Sequence, residues 1–378
     1  MIATIKKYVE NNTPLMYSLL RELCGITAPS NDEGRRAEFC KAWFDKEGFT
    51  GAYIDEALNV VLPINCDGSN EITAIVAHTD TVFPDLKPMP YYEEGDRAFC
   101  PGIGDDTACL VALMLTAKFF KEQGIHTSGG ILFVANSGEE GLGNLKGTRR
   151  IFKDYEGRIK QFVSFDSNID IIIDRCVGSH RYEVTVRTEG GHSYNDFGNE
   201  NAIANLAGIV KEIYSIAAPD IDESTLTYNV GTITGGTSVN TIAQSASMLC
   251  EYRSDNASLL DYMRGEFNRI FEGAKKDGVK VEVKVVGERP SAKDVDPAKI
   301  AKMCDTCAKI IEDVYGKAPK YESGSTDCNI PLSLGIPAIC IGTFIGGGMH
   351  TRGEWLDKPS MVPGLEIAIR SMIALTED

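Results

Sequence analysis

The sequence predicts an α/β fold: a mixed, mainly parallel sheet with helices on both faces, interrupted by a small α+β module of ferredoxin-like βαββαβ order. Three observations lead there. Short apolar runs alternate with turns or helical patterns between residues 70 and 175, the order of elements changes from about 180, and the first pattern resumes after about 290.

Each element has its own signal. "MIATIKKYVENNTPLMYSLLREL" spaces its apolar residues as an amphipathic helix. "ITAIVAH", "GGILFVANS" and "IKQFVSF" are nearly continuous apolar runs, the pattern of parallel strands covered on both faces, and "ACLVALMLTAKFFKEQG" supplies a covering helix. The interrupting module reads as strand "RYEVTVRT", helix "ENAIANLAGIVKEIYSI", strands "STLTYNVGTI" and "AQSASMLCEYRS", helix "ASLLDYMRGEFNRIFEGAKKDG" and strand "KVEVKVV". After the turn "GERPSA" come the helix "PAKIAKMCDTCAKIIEDVYG", the strand "PAICIGTF" and a last helix near residues 362–375. At 378 residues the chain exceeds the size at which one core usually stops growing. The expected division is a discontinuous domain, 1–178 with 291–378, and an inserted domain, 179–290.

Charge narrows the function classes. With 54 acidic against 38 basic residues the net charge is -16, which repels polyanions and gives no basic footprint for nucleic acid. No run approaches a membrane span, and the first residues read as a helix rather than a secretory leader, so a cytoplasmic location is expected. The eleven cysteines stand in apolar contexts, as reduced core thiols do. Cys304 and Cys307 form a CxxC inside a helical pattern with no second pair or histidine nearby, which favours helix packing over a redox or zinc site.

Ligands in open α/β sheets gather beyond the carboxyl ends of the strands. There the sequence places His78 and Asp80, Glu139 and Glu140, Asp166, and His350 in "IGGGMHTRGEW"; the loop "CPGIGDDTA" adds Asp105 and Asp106. Singly, each has an ordinary explanation: helix capping for Asp105 and Asp106, a structural histidine, a solvated turn, an Asx-turn at Asp166. Jointly, such carboxylates would repel one another and bind protons unless cations neutralised them. Oxygen and imidazole donors without thiolate suit two divalent ions, zinc first and cobalt or manganese as alternatives.

The order HxD, "GDD", "EE", Asp, an inserted module with "GGH", and a late histidine before "GEW" resembles the M20 family of metallopeptidases, including peptidase T-like enzymes. The resemblance covers essentially the whole chain. It implies a dizinc catalytic domain in which His78 and Asp166 hold one metal, Glu140 and His350 the other, and Asp105 bridges them. Asp80 and Glu139 are then catalytic, Glu139 as the base that activates a metal-bridging water. It further implies a cis Asp105–Asp106 peptide.

In physical terms, Asp80 lies two residues from His78 and is expected to orient its imidazole. The inserted domain is, by resemblance, a lid and dimerisation domain. By resemblance His192 contacts the substrate carbonyl, often in the site of a homodimer partner, while Asn240 and Arg253 bind the substrate backbone or carboxylate. Family members acting on free-amino peptides tend to have aspartate at the position of Asp166, so the expected substrate is a small peptide cleaved in di- or tripeptidase or aminopeptidase fashion. N-acyl amino-acid deacylase or carboxypeptidase activity is the alternative, and a catalytically inactive metal-binding protein a third. His126 and His180 read as structural or surface loop residues, and Asp327 as a helix cap.

Overall fold

A computed structural model describes every residue except 142, 218, 220, 222, 223 and 378. The chain divides into two compact units, Met1–Cys176 with Lys293–Asp378, and Val177–Ala292.

The larger unit is built on an eight-stranded sheet in the order Tyr53–Ile54, Val60–Ile64, Gly130–Asn136, Ile72–His78, Ile159–Phe165, Ala338–Ile341, Ile171–Cys176, Lys320–Gly324. Ile72–His78 pairs in parallel with Gly130–Asn136 on one side and Ile159–Phe165 on the other, and Ile159–Phe165 pairs in parallel with Ala338–Ile341. The sheet is mixed because Val60–Ile64 and Ile171–Cys176 join it antiparallel. Every residue of Ile72–His78 is buried, since successive side chains point to opposite faces and both faces are covered. Ile75 and Ala77 enter one hydrophobic core with the helices Ile2–Cys24, Cys109–Glu122 and Met361–Thr376, while Ala74 and Val76 enter a second with Ile151 and Phe152 of the helix Lys146–Asp154.

The four parallel neighbours run the same way, so their carboxyl ends share one edge of the sheet. His78, the turn after Asn136, Asp166 and the segment after Ile341 are gathered there although distant in sequence. A small antiparallel sheet in the order Ile345–Gly347, Trp355–Asp357, Arg97–Phe99, Tyr92–Glu94 carries the segments next to His350 and to the loop before Asp105. Among the described residues no helix is long and apolar enough to cross a membrane. All eleven cysteines are buried and none is in a disulfide, and Cys304 and Cys307 belong to the buried face of the helix Pro297–Tyr315.

The smaller unit is a four-stranded antiparallel sheet in the order Leu226–Gly235, Ser245–Ser254, Gly178–Thr188, Val279–Arg289. The two outer strands are the second and fourth of the module, as ferredoxin-like order requires. Its helices Ala202–Ile213 and Ala257–Gly273 begin at Asn201 and Asn256, whose side-chain carbonyls accept amide bonds from the first turn. They pack Leu206, Ile209, Met263 and Phe267 against Tyr182, Val184 and Tyr252 of the sheet. His180 is not a loop residue: it lies in the strand Gly178–Thr188, 3% exposed, with Nδ1 2.6 Å from the Tyr252 hydroxyl.

Candidate metal centre

His78 closes its strand 1% exposed. Its Nδ1 donates to the Asp80 carbonyl oxygen at 2.9 Å, which leaves Nε2 as the nitrogen that faces outward, 3.0 Å from Asp105 Oδ1. The strand ends at His78, so the side-chain alternation expected to carry on to Asp80 stops there. The Asp80 carboxylate stands 3.6 Å from Nδ1 and has closer partners elsewhere. Oδ1 accepts the Glu139 amide at 3.0 Å, and Oδ2 accepts the Glu140 amide at 2.9 Å and the Ser30 hydroxyl at 2.7 Å. Asp80 therefore orients the imidazole through its main chain and the Glu139–Glu140 turn through its side chain.

Asp105 joins the two histidines. Oδ1 is 3.0 Å from His78 Nε2, and Oδ2 is 3.0 Å from His350 Nε2, which also lies 3.1 Å from Glu140 Oε1. His350 comes from a loop with φ of 62° and its side chain is 57% exposed, whereas Glu139 and Glu140 are each 5% exposed. The Asp105–Asp106 peptide is cis. Neither aspartate has helical backbone angles, and neither caps the helix that follows; Asp106 Oδ2 instead accepts the His78 amide at 2.8 Å.

Among the described residues there are two groups whose donor atoms lie within 4.8 Å of one another inside each group: His78, Asp105 and Glu140, and His78, Asp106 and Asp166. Asp106 is a donor absent from the ligand set expected from the sequence. Among the described residues, Asp105 has one carboxylate oxygen 3.0 Å from each of the two histidines.

The charges show what kind of group these donors suit. Burial together with the charges of Asp106 and Asp105 pushes Asp166 well above the usual carboxylate range; burial and Asp105 do the same to Asp106, and burial raises Glu140 to about 7. Burial would lower His78, but the surrounding carboxylates raise it well above the ordinary histidine value, and the nearby carboxylates of Asp105 and Glu140 raise His350 to about 10. Asp105, held by both imidazoles, falls below its usual range despite burial. Carboxylates that take up protons at neutral pH beside protonated histidines mark a place for cations. Asp106 Oδ1 is buried without a hydrogen-bond partner, and Glu140 Oε1 has none of acceptable geometry. The donors fit two divalent ions.

Supporting residues appear that were not expected in this role from the sequence. Ser30 reaches Asp80 Oδ2 and, at 3.0 Å, the Glu140 carbonyl. Arg36, 2% exposed, donates to the carbonyls of Ile26 at 2.8 Å, Thr79 at 3.0 Å and Leu23 at 3.1 Å, and so fixes the main chain between His78 and Asp80. Its signal is present in the chain: helical spacing puts it on the same face as Ala37, Cys40, Trp43 and Phe44. Glu33 is fully buried and pairs with Lys146 at 2.7 Å, whose aliphatic chain lies over Gly138 beside the Glu139–Glu140 turn. Asp327 is not a cap; it is buried between Asn136, at 2.6 Å, and Thr148.

The profile of Peptidase family M20/M25/M40 matches residues 74–374. The chain belongs to this family. Carboxypeptidase G2 of Pseudomonas sp. strain RS-16 is 26% identical over 96% of this chain and 89% of its own. Among solved structures, aminopeptidase PepT from Bacillus cereus superposes with a TM-score of 0.72 at 21% identity, covering 96% of this chain and 99% of that one. The dipeptidase Dug1p from Saccharomyces cerevisiae reaches 0.77 at 15% identity, covering 100% and 99%. These likenesses bear out the resemblance and the M20 fold.

In the smaller unit of this M20 protein the three expected substrate residues have local partners. The His192 amide donates to Asp196 at 2.7 Å and its Nδ1 accepts the Tyr194 amide at 3.2 Å. Asn240 accepts from the Ser238 hydroxyl at 2.7 Å, and Arg253 pairs with Glu251 at 2.9 Å. His192 and Asn240 are exposed and Arg253 is half-buried.

Proposed function

We propose that this M20 protein hydrolyses an amide bond of small free-amino peptides, in the manner of a di- or tripeptidase or aminopeptidase. The observation that carries the reading is the Asp105 carboxylate spanning His78 and His350, with Glu139 on the turn that Asp80 holds. His78 and Asp166 would hold one divalent ion, Glu140 and His350 the other, and Asp105 both; zinc is the proposed metal because the donors are carboxylate and imidazole, with cobalt or manganese as substitutes. Bound there, such ions lower the pKa of water and polarise a carbonyl.

The chain's own residues supply the rest. Glu139 is left over from ligation, and its carboxylate takes a proton from the attacking water and returns it to the leaving amine. Asp80 keeps that carboxylate and Glu140 in register through their amides. His192 donates to the oxyanion, from the partner subunit of a homodimer, and Asn240 and Arg253 hold the peptide main chain or its carboxylate, the planar guanidinium suiting a carboxylate. The larger unit is then the catalytic domain, and the smaller one the lid and dimerisation domain, of a cytoplasmic enzyme.

The likeness to carboxypeptidase G2 favours a second reading, a carboxypeptidase, beside which N-acyl amino-acid deacylase stands as the family alternative. One assay separates them. Metal-loaded enzyme is offered a free tripeptide, its N-acetylated form and a set of N-acyl amino acids; cleavage of the free peptide is expected, and hydrolysis of the blocked compounds alone overturns the proposal.

A further inference from the structure

Glu354 stands four residues beyond His350 and is 1% exposed. Its carboxylate faces three main-chain amides of the loop that ends at Asp105: Oε2 accepts from Gly102 at 2.6 Å, and Oε1 from Gly104 at 2.8 Å and from Asp105 at 3.0 Å. The residue is itself fixed by its main chain. Its amide donates to the Thr351 carbonyl at 3.3 Å, its carbonyl accepts the Cys100 amide at 3.3 Å, and the strand that follows it, Trp355–Asp357, pairs with Arg97–Phe99. A Cβ at Gly104 would lie 2.7 Å from the Phe344 ring and 3.2 Å from Glu354 Oε1, so a bare backbone is what lets the amides converge.

We propose that Glu354 is a positioning residue for the metal centre: it clamps the loop backbone so that the Asp105 side chain stands between His78 and His350. The inference rests on the two-ion reading above.

The chemistry of the residue supports this. Placing another buried carboxylate beside Asp105 is unfavourable unless something compensates, and three amide donors do so with charge-assisted bonds. A neutral glutamine has one acceptor oxygen and a donating NH2, so at least one amide loses its partner. Glu354 belongs to neither group of clustered donors, so it orients a ligand without being one. Because Glu354 stands four residues beyond His350, the clamp ties the segment that carries His350 to the loop that carries Asp105 through one side chain.

The test is zinc titration of the metal-free protein by calorimetry, with thermal melting and peptide kinetics alongside, for wild type, Glu354→Gln and Glu354→Asp. The wild type is expected to take two ions. Glu354→Gln should still take two, with affinity weaker by about 10- to 100-fold, the usual effect of losing a group that orients a metal ligand; kcat should fall with little change in KM. Glu354→Asp, which keeps both oxygens, should recover part of the lost affinity. Wild-type affinity in Glu354→Gln, with only a lower melting temperature, overturns the proposal in favour of a purely structural role; a drop to one ion overturns it in favour of direct ligation. If Glu354→Gln does not fold, the same outcomes are read from Glu354→Asp. A wild type that fails to take two ions removes the two-ion reading itself, a result separable from the others.

Discussion

At the carboxyl ends of the central strands, His78, Asp80, Glu139 and Glu140 are no more than 5% exposed, and their hydrogen bonds join segments far apart in the chain. In the smaller unit, the side chains of His192, Asn240 and Arg253 bond to residues two or three places away, and two of the three residues are exposed. The first arrangement is set by the fold and pre-formed. The second costs the fold little to change, which suits the substrate role proposed for these residues. Substitutions should therefore separate: in the first region they act on metal affinity or stability as well as turnover, in the second on KM or kcat with metal affinity unaltered.

The largest effect is expected from Glu139→Gln, which removes the base but no donor assigned to metal. Turnover should fall by about 10²- to 10⁴-fold while the metal content, measured by elemental analysis, stays at the wild-type value. A variant that keeps its turnover would break the assignment. Asp80→Asn should come next. An amide cannot accept the Glu139 and Glu140 amides together with the Ser30 hydroxyl as the carboxylate does, and leaving a buried donor unmatched costs about 1–3 kcal/mol. Both kcat and the melting temperature should drop, and an unaltered melting temperature would show that the bonds from Asp80 contribute nothing to the fold.

Arg253→Ala should raise KM for free peptides with the metal affinity unaltered. His192→Ala should lower kcat, again at unaltered metal affinity, and a loss of bound metal in either variant would erase the distinction between the two regions. The in-trans role of His192 has its own check. A hydrodynamic mass corresponding to one chain at assay concentration would remove it.

The smallest effect is a contrast in pH dependence of the metal-free protein. Glu140 is raised from 4.5 to about 7 and His350 from 6.5 to about 10, so the folded larger unit binds protons more tightly than the unfolded chain. The Glu140 contribution is present below about 4.5 and lost by about 7, and the His350 contribution is present below about 6.5 and lost towards about 10. Asp80 and Asp105 are lowered and act only at more acid pH. In the smaller unit burial lowers His180, with Arg264 adding to burial and Glu288 opposing it, so this unit is destabilised as pH falls below about 6.5. Hydrogen exchange between pH 5 and 9 should show protection of the larger unit decreasing and that of the smaller unit increasing through the histidine range. A parallel response of both units would contradict the contrast.

Much of the larger unit was legible because its signals are local. A strand covered on both faces must be apolar throughout, as "ITAIVAH" is, and an apolar run followed by His or paired carboxylates marks a strand end without reference to any other segment. The same locality explains the misreadings. His180 resembles a loop residue because "VGSHRY" begins with small residues, yet the strand starts at Gly178. Asp327 resembles a cap because a short helix follows, yet its partners, Asn136 and Thr148, lie 191 and 179 residues away.

The sequence by itself determined the α/β class, the antiparallel module within it and the set of histidines and carboxylates, because periodicity and residue chemistry are written in consecutive positions. Only the tertiary structure decided how those groups face one another. That Asp105 spans two imidazoles, that the Asp80 carboxylate serves the Glu139–Glu140 turn more closely than His78, and that Ser30, Arg36 and Glu354 support the centre all depend on bonds between segments brought together by folding. Hydrogen bonds of that kind are satisfied by distance and direction, and a buried acceptor places no periodic mark on the distant residue that donates to it.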